Sequence, residues 1–191
     1  MNFDLLRAAD LVATPWKNGG GSTREIAAYP PGSGFDDFAW RVSIADVGTD
    51  GPFSRFPGID RTIVLLDGNG MKLIVDHADE HRLDKTFVPF EFPGEAKVDA
   101  VLIDGATQDF NLMIRRERAS GNLSVLRGPG ELALDRDIQI LFVARGQAML
   151  SEATELGIHD SALLHGGPLS LSLPEGAVVF AVAMSNSTPG H

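Results

Sequence analysis

The sequence predicts an all-β fold of two consecutive β-barrel halves with little helix, and three observations lead there. Phe38, Trp40, Val42 and Ile44 alternate with Ala39, Arg41, Ser43 and Ala45, the period of two that turns one side of a strand inward. Short apolar runs recur between glycine and proline turns, the pattern of a sandwich or barrel. A weak internal repeat then divides the chain. Ile63-Val-Leu-Leu-Asp-Gly68-Asn-Gly-Met71 matches Leu141-Phe-Val-Ala-Arg-Gly146-Gln-Ala-Met149 in hydrophobic order, with Gly68 opposite Gly146. Two copies suit two fused halves, whereas a propeller or solenoid needs more.

Along the chain, residues 4–9 read as a short N-terminal helical turn and little else holds a 3.6-residue period. The run 61–66 enters Asp67-Gly68-Asn69-Gly70 and continues at once through 71–75, so a hairpin is expected there. Further strands are expected at 98–103, 110–115, 123–126, 138–144, 148–151, 169–173 and 177–184. Pro30-Pro31-Gly32-Ser33-Gly34 reads as an exposed loop. Residues 185–191 read as a frayed tail.

Composition narrows the function. The chain has 191 residues, 43% of them hydrophobic, and carries a net charge of −10. So acidic a surface repels nucleic-acid phosphates, and Arg115-Arg116-Glu117-Arg118, with an acid in its middle, is a solvated strand end rather than a basic tract. No apolar run approaches the ~20 residues of a membrane span, and the N-terminus lacks the pattern of a signal peptide. No nucleic-acid or membrane partner is therefore expected. With no cysteine, disulfides, thiol nucleophiles and thiolate metal sites are excluded, and a cytoplasmic setting follows. An anionic small ligand would need concentrated positive charge of its own in the pocket.

The densest recognition chemistry is Trp16-Lys17-Asn18-Gly19-Gly20-Gly21-Ser22-Thr23-Arg24-Glu25. Three glycines free the backbone for φ > 0 and for close approach by another group. The spacing is neither that of a dinucleotide fingerprint nor that of a phosphate loop. A glycine-rich surface turn is one reading; the flanking amine, amide, hydroxyls and guanidinium favour a backbone nest beside a binding pocket.

This motif is followed by Phe38-Ala-Trp40-Arg41-Val-Ser43-Ile-Ala, then by Asp50-Gly-Pro-Phe53-Ser-Arg-Phe56-Pro-Gly58-Ile-Asp-Arg61, then by Asp109-Phe-Asn111-Leu-Met113. In that order the set resembles the HutD/Ves family, strongly over residues 10 to 150 and beyond that in strand layout alone. The resemblance implies a bicupin: two fused cupin-type barrels in one compact body, residues 1–118 holding the pocket and 119–191 forming the second half. It also implies an association with bacterial histidine utilisation. The function it implies is binding of small carboxylates such as urocanate or formylglutamate through a pocket arginine, which corresponds here to Arg61. It supplies no enzymatic reaction.

Each candidate has a plainer alternative. Arg61 opens an apolar strand after a Pro-Gly turn, where a guanidinium can hold a carboxylate by two parallel hydrogen bonds. Alternatively it pairs with Asp60 or Asp67. Lys17, Arg24 and Arg41 could join it, although Arg24 has Glu25 beside it and Arg41 could face water. Asn18, Gly19, Gly20 and Thr23 would line the pocket from the glycine motif. Trp16 or Trp40 could stack on a flat ligand, Trp40 suiting the core better. Phe53 and Phe56 either close the pocket mouth or pack beneath a loop. Asp109 and Asn111 project from one face of a strand and Phe110, Leu112 and Ile114 from the other, which turns the first pair toward a polar cavity or solvent. Latching the glycine loop is the role expected of them.

No metal is expected. No His-x-His occurs, and Asp76-His77-Ala-Asp79-Glu80-His81 reads as a solvated loop whose histidines would chelate only if helical. No cofactor and no catalytic residue are assigned either, since no G-x-S-x-G elbow is present. The expected function is binding of a carboxylate metabolite with a sensing or regulatory role, and a homodimer is left open. The alternatives are a metal-free enzyme using Glu25 or Asp109 as base near Arg61, and a scaffold with a vestigial pocket.

Overall fold

The computed structural model describes residues 2–151 and 153–186. It is almost entirely β. A first strand, β1 (Phe3–Leu6), leads into one 3-10 turn at Ala8–Asp10, so the expected N-terminal helical turn is a strand followed by three residues of helix. Then come β2 (Ala13–Pro15), β3 (Gly21–Tyr29), β4 (Trp40–Val47), β5 (Gly51–Pro52), β6 (Ile59–Asp67), β7 (Met71–Val75), β8 (Asp79–Leu83), β9 (Pro89–Pro93), β10 (Val98–Leu102) and β11 (Thr107–Arg115). The chain closes with β12 (Ala119–Arg127), β13 (Gly130–Ala133), β14 (Ile138–Arg145), β15 (Ala148–Leu150), β16 (Thr154–Leu156), β17 (Ser161–Leu164), β18 (Ser170–Leu173) and β19 (Val178–Asn186). Ser185 and Asn186 belong to β19, and the rest of the expected tail, 187–191, lies outside the described residues.

Two units divide the chain. Val12–Ser120 forms one, and residues 2–11 with Gly121–Ser185 form the other. The chain crosses between them at 120/121, and the first strand belongs with the C-terminal unit because β1 pairs antiparallel with β17, Phe3 opposite Leu164.

In the N-terminal unit a six-stranded sheet ordered β2-β3-β4-β11-β6-β9 packs on a four-stranded sheet ordered β5-β10-β7-β8. Ala45, Val47, Ile63 and Leu65 of the first meet Met71, Leu73, Leu83, Val98 and Ala100 of the second. The C-terminal unit repeats the plan: β1-β17-β14-β19-β12 packs on β13-β18-β15-β16 through Leu141, Val143, Val179, Leu150, Leu171 and Leu173. The Gly68 and Gly146 segments do the same job in each half. Neither makes the hairpin expected between 61–66 and 71–75, because β6 and β7 lie in different sheets, as do β14 and β15. Gly68 and Gly146 take φ of 93° and 75°, and these turns carry the chain from one layer to the other.

The glycine motif is the connection of a β2–β3 hairpin, with Ala13 opposite Arg24 and Pro15 opposite Ser22. Two of its amides are engaged within the turn: Gly19 N donates to Trp16 O at 3.0 Å and Gly20 N to Asn18 Oδ1 at 3.0 Å. Gly21 serves packing, since a Cβ there would lie 2.2 Å from Asp46 O and 3.0 Å from Trp16 Cζ3. Gly19, at φ 72°, has open space around it. Gly21→Ala should therefore cost about 2 kcal/mol or more of the unit's stability, against about 1 kcal/mol for Gly19→Ala from left-handed strain alone. Urea denaturation of the two variants checks this, and an equal or smaller loss at Gly21 contradicts the packing role.

Candidate functional site

Strand register places the candidates in three rows on the inward face of the six-stranded sheet. The first runs Arg41, Met113, Arg61, Phe92 across β4, β11, β6 and β9. The second runs Glu25, Ser43, Asn111, Ile63, Phe90, beginning on β3. The third runs Thr23, Ala45, Asp109, Leu65. Period-two alternation sends Phe110, Leu112 and Ile114 to the other face, where they are buried.

Arg61 is the centre of the first row. Its Nη2 donates to Asn111 Oδ1 and its Nη1 to the Ser54 carbonyl, both at 3.4 Å, the weak end of hydrogen bonding. Its Nε is enclosed with no partner among the described residues. The pairings considered with Asp60 and Asp67 are not made; Asp60 takes Arg116 at 2.6 Å instead. Three rings surround the guanidinium carbon, those of Phe92 at 4.9 Å, Phe53 at 5.4 Å and Phe56 at 5.5 Å. Burial lowers the Arg61 pKa to about 10, so the group remains a cation at neutral pH. A charge in this setting attracts an anion strongly.

Arg41 shares the row but is already matched. Its Nε donates to Glu25 Oε2 at 2.7 Å, and its guanidinium carbon lies 4.6 Å from the Phe35 centroid. Phe35 in turn stacks on Phe56 at 5.5 Å. Arg24 is not brought to this face. It sits on the far side of the sheet, where its Nη2 holds Asp46 at 2.8 and 2.9 Å, and Gln108 Nε2 donates to the same carboxylate at 2.7 Å. Its expected neutraliser, Glu25, points inward to Arg41. Lys17, Asn18 and Gly19 are exposed on the hairpin turn and have no contact with Arg61. Gly20 is buried there against Thr49. Trp16 donates through Nε1 to Thr23 Oγ1 at 2.8 Å and packs on the apolar core, which places both on the Asp109 row rather than beside Arg61. Trp40 is a core residue stacked on Tyr29. An open cleft of about 480 Å³ beside the glycine turn is lined by Gly19–Ser22, Asp46, Gly48, Thr49 and Gln108. Arg61 is not among its lining.

The His77–His81 stretch is not helical. His77 sits in a turn at φ 62° beside Lys97 Nζ, while His81 lies on β8 and stacks on Phe90 at 3.7 Å. Among the described residues no group of three His, Asp or Glu side chains is placed to hold a metal. The residues that sequence reasoning passed over are Phe35 and Phe92. An aromatic directly after the Pro-Pro-Gly-Ser-Gly loop was the available signal for Phe35.

Asp109 ends the polar strip. It is fully buried; its Oδ2 accepts from Thr107 Oγ1 at 3.0 Å and its Oδ1 has no partner among the described residues. Desolvation, helped by the nearby charge of Asp46, raises its pKa to about 7. Asn111 Nδ2 reaches the Asp109 carbonyl at 3.5 Å, so a thin chain of polar contacts runs from Arg61 to this residue.

The comparisons with known proteins agree on a family. The HutD family model matches residues 8–181. The chain belongs to the HutD family. It is 40% identical over 175 residues to an uncharacterised 21.2 kDa protein in the hutC 3' region of Pseudomonas putida, covering 90% of this chain and 91% of the relative. It is 37% identical to protein Ves of Citrobacter koseri over 87% of this chain and 86% of that one. HutD from Pseudomonas fluorescens SBW25, solved in a formate condition, superposes with a TM-score of 0.85 at 33% identity, over 97% of this chain and all of that one. At 10% identity and a TM-score of 0.66, salicylate 1,2-dioxygenase from Pseudoaminobacter salicylatoxidans shares the fold alone. The all-β bicupin class expected from the sequence is the class found. No helix among the described residues is long and apolar enough to cross a membrane.

The Asp109 shift gives a signed expectation. An acid whose folded pKa lies above its unfolded value binds more protons when folded, so its contribution is most favourable below about pH 4 and is lost as pH rises through 7. Asp109→Asn removes that dependence. Between pH 5 and pH 8 the stability difference should shift toward the variant by about 2–3 kcal/mol. Chemical denaturation at several pH values measures it, and a difference that stays constant with pH refutes the buried acid.

Proposed function

We propose that the HutD-family chain binds a small carboxylate metabolite at Arg61 and acts as a sensor of that metabolite in histidine utilisation. The single observation behind this reading is a buried guanidinium that keeps its charge, makes only two long hydrogen bonds and has no carboxylate partner among the described residues. The rest of the row fits a carboxylate with a flat or apolar body. Phe53, Phe56 and Phe92 supply apolar walls, and Arg41 adds field while Glu25 holds it in place. The link to histidine utilisation rests on relatives: the Pseudomonas putida protein is described by its place beside hutC, and the Pseudomonas fluorescens protein is HutD itself. Urocanate and formylglutamate are the ligands to try first.

A binding role is favoured over turnover by position. Of the two bases considered, Glu25 is committed to Arg41 at 2.7 Å. Asp109 has a pKa near neutrality, but its backbone position is two rows from that of Arg61, about 14 Å along the strand at ~3.4 Å per residue, with Asn111 on the row between them.

The test is titration calorimetry with urocanate and with formylglutamate. A charge-assisted bidentate contact in a partly desolvated site is worth about 2–5 kcal/mol on truncation, so Arg61→Ala should weaken binding by roughly 30- to 5000-fold. Arg61→Lys should recover part of that loss, since an ammonium keeps the charge but not the planar fork. Urocanate methyl ester should bind the wild type poorly. Ligand binding by Arg61→Ala equal to wild type, with the melting temperature preserved, removes Arg61 from the site.

A further inference from the structure

We infer that Phe35 is the specificity-determining residue of the Arg61 site, selecting carboxylates with a planar conjugated body over saturated ones of the same size. The inference rests on Arg61 as the carboxylate anchor and adds what decides the rest of the ligand. Phe35 sits midway along the loop between β3 and β4, and the residue is 52% exposed. Its side chain is thus open to contact from solvent, whereas Phe38 of the same loop is buried.

Its backbone, by contrast, is held firmly. Arg115 donates to the carbonyls of Phe35 at 3.2 Å, Asp36 at 3.1 Å and Phe38 at 2.9 Å, and Arg118 donates to the Asp37 carbonyl. Phe38, three residues on, is fully buried and anchors the stem. Four carbonyls fixed by two arginines hold one ring in a set position, which a loop with no task at its tip does not require.

The ring touches the site from outside. One side lies over the Arg41 guanidinium at 4.6 Å, and the ring stacks at 23° on Phe56, itself 5.5 Å from the Arg61 guanidinium. Phe35 therefore extends the Phe53, Phe56 and Phe92 wall outward from Arg61. Gly32 and Gly34 beside it have nothing within 4 Å of where a Cβ would stand, so space is open on the loop's outer side. A ligand whose carboxylate is held at Arg61 has its body against Phe56 and Phe35. A flat π-system covers both rings by offset stacking, whereas a puckered chain touches them at few points. Because Glu25 already offsets Arg41, one net positive charge serves the ligand, which suits a singly charged anion.

Two probes with the same carbon skeleton separate shape from charge: trans-cinnamate, which is planar, and 3-cyclohexylpropanoate, which is not. Calorimetry with the full chain should show cinnamate bound more tightly by wild type, by about 3- to 10-fold, the size of an aromatic pairing effect. Phe35→Leu, which keeps apolar bulk, should bring the two probes within twofold of each other by weakening cinnamate alone. Phe35→Trp should retain the preference. An unchanged cinnamate preference in Phe35→Leu and Phe35→Ala overturns the inference. If those variants behave like wild type while Arg61→Ala loses both probes, only the role of Phe35 falls. If wild type binds neither probe nor any other carboxylate, the Arg61 site falls and Phe35 with it.

Discussion

A guanidinium carried to the inner face of a β sheet must be paired, hydrogen-bonded or left as a standing demand for an anion, and the N-terminal unit is arranged around that constraint. Arg41 meets it on this face with Glu25, and arginines elsewhere also find protein carboxylates: Arg24 with Asp46 on the far side of the sheet, Arg116 with Asp60 and Glu95, and Arg7 with Asp160 in the other unit. Arg61 has an amide oxygen, a carbonyl and three aromatic faces. Aromatic faces attract a cation but do not neutralise it, and each contact is modest. The outcome is a cation whose field is undiminished by a counter-charge and sharpened by apolar walls. In a protein of net charge −10, Arg61 is therefore a local exception to the acidic balance of the chain.

The two halves share one plan and differ in what fills it. The C-terminal unit packs leucine, valine, alanine and Phe3 between its sheets. In the N-terminal unit the same inward positions carry Arg41, Ser43, Arg61, Asp109 and Asn111 beside the apolar residues. Burying such groups sacrifices stability, most plainly at Asp109, whose carboxyl is held near neutrality by lost solvation. The N-terminal unit therefore buries charged and amide groups between its sheets beside its apolar residues. Duplication of the layout did not require duplication of the chemistry.

Sequence patterning reached the fold class, the repeat and the separation of Asp109 and Asn111 from Phe110, Leu112 and Ile114 on opposite faces, because period-two alternation survives any detail of register; it did not reach which face lies between the sheets, having set the second group there. It did not reach β3, which follows the glycines and alternates Thr23, Glu25 with Arg24 and Ile26, nor the polar strand β8. The sheet change at Gly68 looked like a hairpin because a turn tetrapeptide between two apolar runs says nothing about which strands pair. Arg24 and Arg41 were indistinguishable as candidates; a bulge between Glu25 and Ala27 and the register with β4 decide which reaches the inward face. Phe35 went unread because its role depends on Phe56 and Arg41, distant in sequence. The glycine motif was legible as special but not as packing.

Packing is nonetheless how that motif bears on the site. Gly21 lets the Trp16 ring and the Asp46 backbone close to distances that a side chain forbids. Trp16, brought in this way, donates to Thr23 on the Asp109 row and packs on the same apolar cluster as Ala45 and Leu65, that row's other members. Removal of water from this end of the sheet is what raises the Asp109 pKa. The inward face consequently carries a polarity: a cation on the first row, an amide on the second, and an acid near neutrality on the third. An anionic head is attracted at the first row and, whenever Asp109 is ionised, repelled from the third. Through Gly21 the glycine motif thus bears on the acid end of this strip by packing, at the opposite end from Arg61.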